Sequence, residues 1–215
     1  VRYSSFKSTI MKSFIFLFLS FFICQHTYAQ NTPSLEQQLN KSRVRLPNGW
    51  HLSPAGRMLP LGDFPLNIAV SKTQRFIAVT NNGQSVQSLQ LIDPKAEKIL
   101  HSIIIPKSWY GLTFSEDEKF LYASGGNDNW ILQYAIANNR LQLKDSIKLG
   151  AKWPAKISPA GITLDDKAGL LYVVTKENNS LYVVDLRTKK ILHEENLAHE
   201  AYACLLSNDR KELYI

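Results

Sequence analysis

One pattern of two strands recurs four times along the chain. Asn67-Ile68-Ala69-Val70-Ser71 followed by Phe76-Ile77-Ala78-Val79-Thr80 is answered by Gly111-Leu112-Thr113-Phe114-Ser115 with Phe120-Leu121-Tyr122-Ala123-Ser124. The third copy is Gly161-Ile162-Thr163-Leu164-Asp165 with Leu170-Leu171-Tyr172-Val173-Val174, and the fourth is Ala203-Cys204-Leu205-Leu206-Ser207 with Glu212-Leu213-Tyr214-Ile215. The runs are rich in β-branched and aromatic residues, and short polar turns at 71–75, 115–119 and 165–169 separate them. Period-two alternation with turns of this length excludes repeated helices and gives antiparallel strands.

Two further strands follow in each copy. Third strands align at 89–93, 131–135 and 181–185, and fourth strands begin at Ile99, Leu141 and Ile191. Ile77, Leu121, Leu171 and Leu213 are spaced by 44, 50 and 42 residues. A period of about 40 to 50 residues with four strands per unit is the mark of a propeller blade. The expected fold is therefore all-β, a β-propeller fragment over 57–215 with about three and a half four-stranded blades of an expected seven. The blades fall at about 66–105, 106–149, 150–198 and 199–215, the last incomplete. Arg57 to Leu61 has the place of a fourth strand preceding the first blade.

The first 29 residues read as a leader. Met11-Lys12-Ser13 precedes an apolar run from Phe14 to Cys24 and then Thr27-Tyr28-Ala29, the charged start, short greasy core and small-residue cleavage site of a signal peptide. The run is shorter than the about 20 residues a membrane span needs. Export to the periplasm or the extracellular space is expected, with cleavage after Ala29, a start at Met11 and no membrane span in the mature chain. Ile23 stands where a lipobox needs a small residue, so Cys24 is not a lipidation site, and Cys204 is left as the single cysteine, a core residue with no disulfide. Residues 30–56 read as an N-terminal linker with turn signals in Pro47-Asn48-Gly49. The net charge is +7 for the whole chain. It falls once the leader's Arg2, Lys7 and Lys12 are removed, and the remaining lysines are scattered among carboxylates, which excludes a nucleic-acid face.

Leu171-Tyr172-Val173-Val174-Thr175-Lys176-Glu177-Asn178-Asn179-Ser180-Leu181-Tyr182-Val183-Val184-Asp185 resembles the repeat of the YVTN β-propeller family, and Val79-Thr80-Asn81-Asn82-Gly83 is a second instance. A narrower resemblance is carried by Leu46-Pro47-Asn48-Gly49-Trp50, Ser53-Pro54-Ala55-Gly56-Arg57, Leu59-Pro60-Leu61-Gly62-Asp63 and Thr80-Asn81-Asn82-Gly83-Gln84-Ser85. These segments look like the N-terminal propeller of exported bacterial proteins in which a YncE-like propeller precedes an alkaline-phosphatase-like phosphoesterase domain. The resemblance implies seven blades and a following catalytic domain, so the chain is expected to be a fragment. The phosphoesterase's metal ligands and nucleophile have no matching positions here.

In a four-stranded blade, the turns between strands two and three share one face with the links between blades. That gathers residues 81–85, 125–129 and 176–179 beside 63–64, 107–110, 152–153 and 200–202. Lys107, Trp109, Tyr110, Asn127, Lys152 and Trp153 are the candidate ligand-binding residues at this channel mouth, with lysine charge and tryptophan faces suited to a small anionic ligand or to the protein's own phosphoesterase domain. Turn formation and packing between blades explain the same residues without a ligand. No catalytic residue, metal ligand or cofactor is assigned. His193 has Leu197 four residues on, so the two-His face of a zinc helix is missing, and residues 125–129 lack the spaced acids of a calcium loop. The acids at 116–118 and 165–166 read as solvated charges on the opposite face, and Asn178-Asn179-Ser180 matches a glycosylation sequon. A lactonase-like propeller with its own channel metal is disfavoured, because the blades offer no clear ligand set.

Overall fold

The computed structural model describes residues 37, 40–41, 43–53, 56–105 and 107–215. The leader, with Met11, Cys24 and the cleavage point after Ala29, lies outside them. Among the described residues no helix is long and apolar enough to cross a membrane. The chain divides into two compact units, one ending at Met58 and one beginning at Leu59.

Within the first unit, β1 (Val44–Arg45) and β2 (His51–Leu52) form a small antiparallel hairpin. Leu46 N–H donates to the Trp50 carbonyl at 2.7 Å and Gly49 N–H to the Leu46 carbonyl at 2.9 Å, with Gly49 at φ +84°, a conformation open to glycine at little cost. The turn chemistry of Pro47-Asn48-Gly49 is visible in the sequence. Two-residue strands carry no alternation, so the hairpin itself is not.

The second unit holds three four-stranded antiparallel sheets and one two-stranded sheet, the arrangement of a partial β-propeller. Sheet one is β3 (Pro65–Val70), β4 (Ile77–Asn81), β5 (Ser88–Asp93) and β6 (Lys98–Ile104). Sheet two is β7 (Leu112–Phe114), β8 (Phe120–Ser124), β9 (Trp130–Ala137) and β10 (Arg140–Lys148). Sheet three is β11 (Pro159–Asp165), β12 (Leu170–Thr175), β13 (Ser180–Asp185) and β14 (Ile191–Asn196). The last pair is β15 (Leu205–Leu206) and β16 (Leu213–Tyr214). Arg57 to Leu61 forms no strand, contrary to expectation. Pro60 within the segment has no N–H to give to a ladder.

Period two on the middle strands decides how the sheets stack. On β8, Leu121 and Ala123 face sheet one and meet Phe76, Ala78, Leu89 and Leu91. Tyr122, between them, faces the other way and packs with Ile162, Leu171 and Val173 of sheet three. Strand β9 repeats the division, with Leu132 and Tyr134 on one side and Ile131 on the other. Each middle strand thus seals two seams at once, and a fully buried leucine there contributes roughly 1.5–3 kcal/mol. At the outer edge Leu141 N–H donates to His101 Nδ1 at 3.1 Å, joining β10 to β6, and burial together with the nearby Arg140 charge lowers the His101 pKa and keeps the ring a neutral acceptor.

At one end of the sheets the turns between first and second strands share a design. The hydroxyls of Ser71, Ser115 and Ser207 accept from the backbone N–H of Phe76, Phe120 and Glu212, each at 3.0 Å. Because first strands of successive sheets are neighbours, these turns lie side by side; Glu116 and Asp117 stay exposed, as expected of solvated charges, while Asp165 is buried and Asp166 half-buried, and Glu116, Glu118 and Asp166 also tie one turn to the next. Glu118 accepts from Thr73 N–H at 2.6 Å and from its hydroxyl at 2.9 Å. Asp166 Oδ2 accepts from Glu116 N–H at 2.5 Å, while the Glu116 carboxylate pairs with Lys72 at 3.4 Å and with Arg210. Arg210 Nε also lies 3.4 Å from Asp165 Oδ1.

Hydrogen bonding from Lys72 leads the causes that lower the Glu116 pKa, and burial, with Glu116 and Asp117 close by, raises that of Asp166. A raised carboxylate pKa means that the folded state holds its proton more tightly than the unfolded one. The associated stability is present below the ordinary value and is lost as pH rises through the folded value. Asp166→Asn keeps an oxygen for Glu116 N–H and removes the charge. The variant is expected to melt higher than wild type at pH 7 by calorimetry, with the difference vanishing as the pH falls below about 4.

Candidate functional site

At the other end of the sheets, four asparagines and a glutamine tie down the loops. The link from β6 to β7 carries residues 107–111. Ser108 N–H donates to Gln87 Oε1 at 3.1 Å, Asn82 Nδ2 donates to the Ser108 carbonyl at 2.5 Å, and Trp109 N–H donates to the Ser124 carbonyl at 3.2 Å. Asn67 Nδ2 donates to the Tyr110 carbonyl at 2.6 Å. The turn from β8 to β9 is a 3₁₀ turn, Gly126–Asp128, closed by Asn129 in the left-handed region at φ +55°. Asn129 is fully buried; its Oδ1 accepts from Ser158 N–H at 2.9 Å and its Nδ2 donates to the carbonyls of Ala151 and Ala155 at 2.6 and 2.7 Å. A Cβ on Gly126 would stand 2.6 Å from the Lys107 carbonyl, so glycine lets the turn and the link meet.

Between these loops lies a cleft of about 350 Å³. Lys107, Trp109 and Asn127, predicted from sequence, line it together with Ser108, Gln87 and Lys176, which were not predicted as ligand-binding residues. Tyr110, Lys152 and Trp153 do not line it. Tyr110 offers its carbonyl to Asn67, and the Lys152 ammonium sits 4.6 Å from the centre of the Trp130 ring, so its charge goes to an aromatic face beside the cleft. Trp153 stays half-exposed with Lys156 at 6.0 Å from its ring. Asn127 does two jobs for the link from β10 to β11: its Oδ1 accepts from Ser158 Oγ at 2.9 Å and its carbonyl accepts from Trp153 N–H at 3.2 Å.

Charge at the cleft is more balanced than the lysines alone imply. Lys107 Nζ is 2.9 Å from Oδ1 of the buried Asp128, so the turn at 125–129 presents its acid to an ammonium. Lys176 Nζ lies 5.8 Å from the Trp109 ring centre and 5.6 Å from that of Tyr202. A hydrogen bond with the Tyr202 hydroxyl, with Glu200 and Glu177 close by, raises the Lys176 pKa. The buried Ser108 Oγ and Trp109 Nε1 have no protein partner. Lys176 is the first residue after the second strand of its sheet, where the sequence offers a signal; Ser108 and Gln87 have none, since their roles depend on pairings across loops.

Elsewhere the sequence candidates have structural tasks. Asn178 of the sequon accepts from Thr175 Oγ1 at 2.6 Å and donates to the Tyr182 hydroxyl at 2.7 Å. Burial, with the hydrogen bond to Glu194, pushes the Tyr182 phenol up to about 12. His193 lies on the exposed strand β14 beside Glu195. Burial pushes the Cys204 thiol up to about 12, which keeps it protonated. Among the described residues no three His, Cys, Asp or Glu side chains gather as a metal site.

No family model matches the sequence, and no curated protein does. Solved structures do. Hydrazine synthase from Kuenenia stuttgartiensis superposes with a TM-score of 0.58 at 17% identity, over 74% of this chain and 43% of that one. The WD40 repeats of RRP9 give 0.56 at 14% identity, over 69% and 44%. The gluconolactonase XC5397 from Xanthomonas campestris gives 0.58 at 17% identity, over 80% and 60%. The chain spans less than half the length of the first two. At such identities the likeness shows the fold, and the fold is a β-propeller.

Asn129→Ala removes three buried hydrogen bonds and places alanine at a left-handed position. It is expected to cost at least about 2 kcal/mol in denaturant unfolding and to open residues 151–158 to trypsin at Lys152 or Lys156 under native conditions.

Proposed function

We propose that the chain is a non-catalytic β-propeller segment of an exported bacterial protein, a scaffold that binds a ligand or partner at the face carrying the cleft. The observation that carries this reading is the contrast between the two ends of the sheets. At one end the turns bond to one another; at the other, loops held by Asn67, Asn82 and Asn129 surround a cleft whose Ser108 hydroxyl and Trp109 indole N–H are left without protein partners. Buried polar groups are normally paired, so their combination in a cleft favours an occupant. The apolar core and small-residue end of the leader support export.

A second reading is favoured by the segments at 46–50, 53–57, 59–63 and 80–85. They resemble the propeller that precedes an alkaline-phosphatase-like domain in YVTN-type, YncE-like exported proteins, which makes the chain the N-terminal part of a metal-dependent phosphoesterase. The partner docked at the cleft face is then the protein's own catalytic domain. Both readings share a test. Expressed with its leader in a bacterium, the protein is expected in the periplasm or medium with Gln30 at its N-terminus by mass spectrometry, and the purified chain is expected to leave p-nitrophenyl phosphate intact with or without added zinc. Retention of the leader on a cytoplasmic protein contradicts export, and hydrolysis by the purified chain contradicts a non-catalytic segment.

A further inference from the structure

We infer that the cleft among the loops of the first three sheets is a binding site for the carboxylate group of a small molecule, read by neutral hydrogen-bond donors more than by charge. The inference rests on the reading of this face as a binding face and adds the ligand's chemistry. Several acceptors at the cleft are already committed, and the Glu177 carboxylate that also lines it stands near Lys176. Gln87 Oε1 takes the Ser108 N–H at 3.1 Å, Asn127 Oδ1 takes the Ser158 hydroxyl at 2.9 Å, and the Ser108 carbonyl takes Asn82 Nδ2 at 2.5 Å. The Ser158 carbonyl accepts from Lys176 N–H at 3.0 Å. What Gln87 and Asn127 retain is their NH₂ groups, which only donate.

To these are added Ser108 Oγ–H, on a residue only 3% exposed, and Trp109 Nε1–H, both buried and without a protein partner. An indole N–H can only donate, and a buried donor left unpaired is costly. An acceptor-rich group is the complementary occupant. The charges decide which one. The Lys107 ammonium is shared with Asp128, and Lys176 has Glu177 in the same cleft and Glu200 near it. Two cations set against three acids leave no positive field, which opposes a phosphate dianion and leaves a single negative charge spread over two oxygens to be held by the neutral donors. The volume of about 350 Å³ suits a small metabolite.

The test follows the indole N–H signals of the four tryptophans in the full chain labelled with ¹⁵N at tryptophan, with Trp109→Phe identifying the Trp109 peak. Acetate and inorganic phosphate are titrated separately at fixed ionic strength. The expected result is a downfield shift of the Trp109 peak that saturates with acetate at about 1 to 50 mM and needs higher concentrations of phosphate. Ser108→Ala is expected to weaken acetate at least about tenfold while the melting temperature of the ligand-free protein does not fall below that of wild type. Lys176→Gln, a surface change, gives an independent weakening should Ser108→Ala disturb folding. No saturable shift, a common drift of all four indoles, tighter binding of phosphate, or acetate binding unchanged in both variants overturns the inference. Neither the location of the protein nor its lack of hydrolysis involves the cleft, so those results stand or fall separately.

Discussion

The structure depends on apolar side chains that alternate across the middle strands of sheet two and seal it against sheet one on one face and sheet three on the other. A lone sheet of four strands buries neither face, so its apolar side chains need a neighbouring sheet to pack against. Leu121 with Ala123 and then Tyr122 meet this need in opposite directions from one five-residue strand. Where the seam is made, the sheets stand at a fixed spacing, and everything at their ends inherits that spacing.

The two ends use it differently. At the serine turns, the spacing lets a carboxylate of one turn meet the N–H of the next, as Glu118 meets Thr73 and Asp166 meets Glu116. These contacts are exposed and individually weak, and their value lies in aligning neighbouring turns. At the opposite end the spacing is bridged by amides. A side-chain amide has both a donor and an acceptor, so Asn129 can hold two carbonyls and one N–H in a single buried position. Bridging takes up the carbonyls of Ser108, Tyr110, Ala151 and Ala155 and leaves the Ser108 hydroxyl and the Trp109 indole N–H unpaired, which is how a packing requirement shapes the chemistry of the cleft.

The strands were legible because they obey a local rule. Period two, β-branched residues and serine or aspartate turns are properties of adjacent residues, and β4, β8 and β12 fall where the repeats place them. The face on which Lys107, Trp109 and Asn127 gather followed from the same repeat. The chemistry of that face was less legible. Lys152 looks like a free cation in the sequence, yet the Trp130 ring, 22 residues earlier, captures it; Lys107 looks free, yet Asp128 neutralises it. Gln87 and Ser108 acquire their roles only when two loops meet, and Arg57 to Leu61 holds the place of a strand but carries Pro60, which has no N–H for a ladder. Side-chain pairing across loops is set by tertiary distance, which no local pattern encodes.

The central claim is that the stacked sheets fix the loops that form the cleft. Hydrogen exchange of single amides measures this directly. The loop amides of Ser108, Trp109, Gly111 and Ser158, which donate to Gln87 Oε1, the Ser124 carbonyl, Ser124 Oγ and Asn129 Oδ1, should exchange as slowly as those of Leu121 and Leu132 within the seam. Rapid exchange of the loop amides beside a protected seam would contradict it, since the cleft would then be independent of the sheets that are said to build it.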